Sequence, residues 1–400
     1  MATSIDSDVI PDSRRLSDEL VARAAGLRDV LRQGGQFADD NRTLSPEVVD
    51  ALQAADLYRL CVPKRFGGLE ADVRTLVETT AEVARGDGSA GWVHALINSA
   101  AWIASTYSEQ AQQDVWGTNP DARLCTVLNP VEDVRRVDGG YVVSGKWPFA
   151  SGSAHSQWAH LGVMTPDDEG NRVQSLALFP MDELEIVDTW FVVGMRGTAS
   201  NTLVARDVFV PDHRVQRYDD LAADVYATSS EAPVHRESFL PVLGVVLCGA
   251  QLGLAQAAVD LTLANLPRRT VMYSKYDHAV DAPANRTGIA EAVSSVDIAT
   301  MVARRACDDI VRLAHEGAKP GLVVRARIRM DTGLAITYSR GAINRTLTMN
   351  GAGSFATGNP LQRIWRDSEA ASRHGLIQPE IATEIYGRAL FGDDEFVMPI

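Results

Sequence analysis

The chain has 400 residues, is 46% hydrophobic, and sets 52 acidic against 38 basic side chains for a formal net charge of −14. Only four of the bases are lysines (Lys64, Lys146, Lys275, Lys319) and the arginines are scattered between acids. A nucleic-acid partner, which calls for cations clustered on one face, is therefore excluded, and the length suffices for two or three domains with most apolar surface buried.

Residues 1–13 carry acids and no apolar run, so no secretory signal is expected. Apolar residues recur at helical spacing over Leu20–Leu31, Ser45–Tyr58, Arg74–Arg85 and Ala90–Trp116, which predicts a helical domain over residues 1–120. A Pro and Gly-Gly turn, Val62 to Gly68, interrupts it. From Leu124 to Val215 the texture changes to short β-branched runs broken by Gly, Pro and Asp, the pattern of an antiparallel sheet or small barrel over 121–217. A polar linker around Asp219 to Pro233 leads to a third region, 230–400, with a long amphipathic helix over Val293–His315. Between Phe239 and Ala258 no side chain is charged, close to the length that crosses a bilayer. Pro241, Gln251, Gln256 and several glycines point instead to a helix buried all round, in a large bundle or at a subunit interface, and no membrane partner is expected.

Cys61, Cys125, Cys248 and Cys307 are far apart and form no C-x-x-C, so neither a disulfide framework nor a metal site is signalled; a reducing cytoplasm is the expected compartment. The informative stretch is Trp147-Pro148-Phe149-Ala150-Ser151-Gly152, which follows the hairpin signal Asp138-Gly139-Gly140. It sets two aromatic rings and a hydroxyl at one strand end, an arrangement suited to a flat, polar-edged ring. Downstream lie Gly194-Met195-Arg196-Gly197-Thr198-Ala199-Ser200-Asn201-Thr202, then Val208-Phe209-Val210-Pro211, then Asn350-Gly351-Ala352-Gly353-Ser354, Arg366-Asp367 and His374.

In this order and spacing, from about Leu20 to Gly392, the segments resemble the acyl-CoA dehydrogenase fold. The resemblance is to its branch of two-component flavin-dependent monooxygenases, the group D aromatic hydroxylase type. It implies an α+β, mostly helical architecture: an N-terminal helical domain, a middle antiparallel β-barrel domain and a C-terminal four-helix bundle, assembled as a homotetramer. It implies reduced flavin, FMNH2 or FADH2, as cofactor and O2 as co-substrate. A C4a-hydroperoxide would then hydroxylate an aromatic substrate.

Such a flavin needs a hydrogen bond at N5, a dry pocket and a proton source at the distal oxygen. The resemblance sets Ser151 beside N5 and Thr126, with Phe149, on the flavin-facing strands, since a short hydroxyl can donate or accept as N5 changes protonation. It sets His374, on the last helix of the bundle and with an ordinary pKa near neutrality, opposite the flavin as donor of a hydrogen bond or proton. It assigns Arg269 to flavin phosphate and Gly351, Gly353 and Ser354 to a loop contributed by a neighbouring subunit.

Gly351 to Gly358 lacks the G-x-G-x-x-G spacing and the preceding strand, so no nicotinamide site is expected and a separate NAD(P)H:flavin reductase must supply reduced flavin. Two departures matter. Gly375 stands where many dehydrogenases of this fold carry a glutamate base, which argues against acyl-CoA dehydrogenation. Ala100 stands where phenol-hydroxylating relatives carry a histidine, with His94 almost two turns earlier, which favours a bulkier or intrinsically electron-rich substrate, polycyclic or indole-like and of natural-product type. Oxidation at nitrogen or sulfur stays open.

Overall fold

A computed structural model describes residues 11–167, 169–228, 232–395, 398 and 400; residues 1–10 and 229–231, which hold most of the acidic N-terminal segment and part of the polar linker, lie outside them. The N-terminal helices are α1 (Pro11–Gly26), α2 (Arg28–Asn41), α3 (Pro46–Ala54), α4 (Val73–Gly86), α5 (Gly88–Ser105) and α6 (Glu109–Trp116). Their starts are written in the caps. Ser45 accepts the N–H of Val48, Asp72 that of Thr75, Asp87 that of Ala90 and Ser108 that of Ala111. The apolar run Ala90–Trp116 is therefore two helices, because Ser108 caps a new one, and Leu20–Leu31 is broken at Leu27 between α1 and α2.

The middle region is β1 (Leu124–Val131), β2 (Val134–Val137), β3 (Gly140–Ala150), β4 (Trp158–Pro166), β5 (Arg172–Pro180), β6 (Glu185–Val187), β7 (Asn201–Pro211) and β8 (Val215–Arg217). In place of the expected antiparallel barrel there are two four-stranded sheets, ordered β1-β4-β5-β8 and β2-β3-β7-β6, and β1 runs parallel to β4. The Asp138-Gly139 turn joins β2 to β3, with Gly139 at φ +74°. Between the sheets lies an apolar core of Val143, Trp147, Ala159, Leu161, Phe179 and Leu203.

The remaining helices are α7 (Tyr218–Ala222), α8 (Phe239–Val245), α9 (Cys248–Asn265), α10 (Pro283–Glu316), α11 (Leu322–Asn350), α12 (Pro360–Ala371) and α13 (Pro379–Leu390). In the bundle α11 packs against α9, α10 and α13, while α12 lies against α9. The uncharged stretch is the α8–α9 pair, bent at Val246–Leu247. Over Phe239–Arg268 its mean hydropathy reaches 1.9, enough by length and composition for a membrane span, yet 94% of that apolar window is buried inside this one chain. It is a core helix, and its burial needs no second subunit. Close approach makes this possible: a Cβ on Gly253 would sit 2.1 Å from the Ala81 carbonyl oxygen of α4.

Candidate active site

The pairing of β3 with β7 sets Ala150 opposite Asn201, so the residues just beyond, Ser151 and Ser200, meet at the end of the sheet. Ser151 Oγ lies 2.6 Å from Ser200 Oγ, Ser200 Oγ lies 2.7 Å from Thr198 Oγ1, and Thr198 donates to the Met195 carbonyl at 2.9 Å. The Trp92 indole N–H on α5 reaches Ser151 Oγ at 3.4 Å. The same indole ring lies edge-on to His374, with centroids 5.7 Å apart. Trp92 thus joins Ser151 and His374, residues 223 apart in sequence, at one wall.

The backbone is strained here. Phe149, Met195 and Ala199 adopt left-handed conformations (φ +67°, +55° and +46°), a costly geometry for non-glycine residues that is held by the surrounding contacts. Asp367 on α12 accepts the Met195 N–H at 2.5 Å, Arg366 binds the Val193 carbonyl, and Gly194 lies so close to α12 that a Cβ would stand 2.1 Å from the Arg366 carbonyl oxygen. Asn201 accepts the N–H groups of Thr189 and Trp190, and the Trp190 indole donates to Met195 and meets Phe149 edge-on at 6.1 Å. The segment Gly194 to Asn201 is a clamp between the β-sheets and α12.

The two aromatics of the Trp-Pro-Phe motif part company. A register shift between Trp147 and Ala150, with the turn at Phe149, sends the rings to different places. Trp147 is buried between the sheets, donates to the Gly162 carbonyl at 2.8 Å and packs on Phe179. Phe149 is 67% exposed beside the Ser151 wall. Only one of the expected pair can face a ligand.

His374 needs two corrections. It is not on a helix: α12 ends at Ala371, and His374 caps the short 3-10 turn Gly375–Ile377, with α13 still to come. Nor does its pKa stay near neutrality. Part of the ring is open to solvent but protein crowds the rest, and that burial, with the positive charge of Arg329, pulls the pKa down to about 4. Nδ1 accepts the Leu376 N–H at 3.3 Å, so the neutral ring carries its proton on Nε2. His374 is a hydrogen-bond donor at neutral pH rather than an acid. Arg329 itself is buried and donates to the Gly375 carbonyl at 3.1 Å.

Thr126 is half-buried on β1, opposite His160 in the parallel register, and its hydroxyl lies 3.3 Å from His160 Nδ1. Burial pulls the His160 pKa down to about 3, so this partner is neutral. His94, by contrast, faces α4, where Thr80 lies 2.9 Å from its Nδ1. It takes no part in the wall. Ala100 is fully buried in the helical core, so the vacancy expected there opens no space for a substrate.

Arg269, Gly353 and Ser354 form a second cluster. Arg269 donates to Asn350 Oδ1 at 2.9 Å, a Cβ on Gly353 would lie 3.9 Å from the Arg269 guanidinium, and Ser354 donates to the carbonyl of Gly351, whose φ is +64°. Open space surrounds the Cβ position of Gly351. In the chain the Gly353 and Ser354 loop precedes α12 and His374 follows it, with this 12-residue helix, about 18 Å long, between them. Within one chain the predicted residues form two groups, not one. Among the described residues no group of His, Cys, Asp or Glu could hold a metal ion.

The acyl-CoA dehydrogenase N-terminal domain family matches residues 22–118, and the acyl-CoA dehydrogenase C-terminal domain family matches residues 245–379. The chain is 34% identical over 374 residues to the flavin-dependent monooxygenase oxygenase subunit HsaA of Rhodococcus jostii, covering 92% of this chain and 97% of that protein. The chain belongs to this family of flavin-dependent monooxygenase oxygenase subunits. It is also 33% identical to the FADH(2)-dependent resorcinol hydroxylase oxygenase component of a Rhizobium species, over 93% of this chain and 94% of that one. Among solved structures, XiaF from Streptomyces in complex with FADH2 and glycerol superposes with a TM-score of 0.94 at 33% identity, covering 98% of this chain and all of that one.

The donor set suits such a family. The wall holds a hydroxyl with a lone pair to spare (Ser151), a neutral N–H donor (His374 Nε2) and an exposed ring (Phe149), while the second cluster holds a guanidinium beside unobstructed glycine backbone. Of the residues expected from the motifs, Ser151 and His374 come together against Trp92. Trp92, Ser200, Thr198 and His160 are not evident from the motifs as site neighbours: Thr198 and Ser200 lie within Gly194–Thr202, while Trp92 and His160 carry no local signal beyond a residue type common in cores.

Proposed function

We propose that the chain is the oxygenase component of a two-component system that uses reduced flavin and O2, through a C4a-hydroperoxide, to hydroxylate an electron-rich aromatic of polycyclic or indole-like, natural-product type. A separate NAD(P)H:flavin reductase is its partner, a homotetramer its working form, and the cytoplasm, on the strength of four free buried cysteines, its compartment. The observation that carries the reading is that Ser151 and His374 both lie against the Trp92 indole. In this reading Ser151 holds the flavin N5 edge, Thr126 and Phe149 border the ring, and His374 presents its Nε2–H to the distal oxygen. Arg269, Gly351, Gly353 and Ser354 hold phosphate. The bound flavin supplies the oxygen activation; the chain supplies orientation, a fixed hydrogen-bond pattern and exclusion of water.

What supports an oxygenase over a desaturase is Gly375, which offers no base, and the absence of any carboxylate from Phe239 to Leu252. What supports an electron-rich aromatic substrate is the pair of relatives named for resorcinol and indole-3-acetate, the second of which is indole-like. The test is single turnover with chemically reduced FMN or FAD, 18O2 and a panel of phenols, indoles and polycyclic phenols. A product carrying one 18O atom is expected for at least one electron-rich member. Turnover without oxygen on an artificial electron acceptor would overturn the reading.

A further inference from the structure

Proton counting along the hydroxyl chain behind Ser151 fixes its direction. Thr198 Oγ1 stands 2.9 Å from the Met195 carbonyl oxygen, which can only accept, so the single Thr198 hydroxyl proton points there. Between Thr198 and Ser200, at 2.7 Å, the donor is then Ser200. That commits the only Ser200 proton, so between Ser200 and Ser151, at 2.6 Å, the donor is Ser151. Ser151 meanwhile receives the Trp92 indole N–H. Its proton is directed inward, and what it has left for the site is a lone pair. Thr198 and Ser200 are buried, so water cannot readily supply an alternative partner that reverses the chain.

We infer that Thr198 and Ser200 are positioning residues that hold Ser151 as a hydrogen-bond acceptor, so that the site prefers reduced over oxidised flavin. This rests on the flavin reading given above. The chemistry is one of polarity: reduced flavin carries a hydrogen on N5 and donates it, whereas oxidised flavin has a bare N5 that needs a donor. An acceptor facing an acceptor leaves both unsatisfied, which weakens binding of the oxidised form. The chain that must take reduced flavin from a reductase and release oxidised flavin after turnover thereby has a structural means of telling them apart.

The experiment compares affinities for reduced FMN and FAD, titrated anaerobically, with those for the oxidised forms, each read by equilibrium dialysis so that turnover plays no part. The wild type is expected to bind the reduced form about tenfold tighter or more. Thr198→Val removes the end of the chain, frees Ser200 and Ser151 to turn, and should narrow the ratio by about tenfold, chiefly by tightening the oxidised form. Thr198→Ser, which keeps the hydroxyl, should retain the wild-type ratio. Ser200→Ala withdraws the acceptor of the Ser151 proton and should narrow the ratio likewise, which decides the matter should Thr198→Val not fold. An unchanged ratio in Ser200→Ala, or in a folded Thr198→Val, overturns the inference, as does a wild type that binds both forms equally. A wild type that binds neither form overturns the flavin reading instead.

Discussion

His374 shows how environment decides what a side chain can do. An imidazole with a free-solution pKa would be partly protonated at neutral pH and could act as an acid. Crowding by protein and the charge of Arg329 pull the pKa down to about 4, so across the working range the ring stays neutral with its proton on Nε2. The sign follows: the folded pKa lies below the ordinary value, so the neutral form persists on acidification until pH approaches 4, and activity should show no histidine titration between about pH 6 and 8. His374→Ala is expected to lower coupled hydroxylation about 10²-fold, diverting flavin oxidation to hydrogen peroxide, while the fold survives. Product formed per flavin oxidised is the measurement, and coupling within a few-fold of wild type would remove His374 from the mechanism. This residue was visible in the sequence only through its place in a series of motifs. Its pKa was not, because it is set by burial in the fold and by Arg329, 45 residues upstream on α11. Ser151 was visible for the same reason as His374. The direction of its proton was not, since that depends on distances among three hydroxyls brought together by strand register.

At the scale of elements, local signals were legible and remote ones were not. The Asp138-Gly139 turn and the helical spacing of α4 and α10 are chemistry between residues a few positions apart and are read from the chain, whereas the equally local Ser108 cap is hidden by the helical spacing that runs across it from Ala90 to Trp116. The parallel pairing of β1 with β4 joins residues 34 apart, as Thr126 to His160, and nothing in either strand's alternation distinguishes it from a barrel. Trp147 and Phe149 illustrate the same limit, because one register shift separates their rings. The packing of α9 rests on close approach to α4, where Gly253 faces the Ala81 carbonyl oxygen at a distance no Cβ could share. Gly253→Ala should therefore destabilise by about 1–3 kcal/mol, the range for overpacking a filled core. Gly341→Ala, on an exposed part of α11 with nothing near its Cβ position, should be neutral or stabilise by about 0.5–1 kcal/mol. Denaturant midpoints of the two variants check this, and equal midpoints would show that the α4–α9 contact yields without cost.

At the scale of the whole molecule, the question is whether one chain completes a flavin site. The uncharged α8–α9 stretch offers no argument for assembly, because the chain buries it alone. The argument comes from α12, a helix about 18 Å long that lies in the chain between the Gly353 and Ser354 loop and His374. If the cluster serves a neighbour's flavin, each site takes its wall from one subunit and its phosphate contacts from another. Two variants, each inactive alone, distinguish the cases: His374→Ala disables the wall and Arg269→Glu the cluster. In mixed oligomers with both halves of a site from one chain, every site carries a defect and activity stays absent. With halves from two chains, random pairing leaves about a quarter of the sites with both groups intact, and coupled hydroxylation should return to that level. Co-expression with separate tags and tandem purification supplies the mixed species, and light scattering gives its size. Absence of recovery in a verified mixed oligomer, or full activity in a monomer, would detach Arg269, Gly351, Gly353 and Ser354 from the neighbour's cofactor.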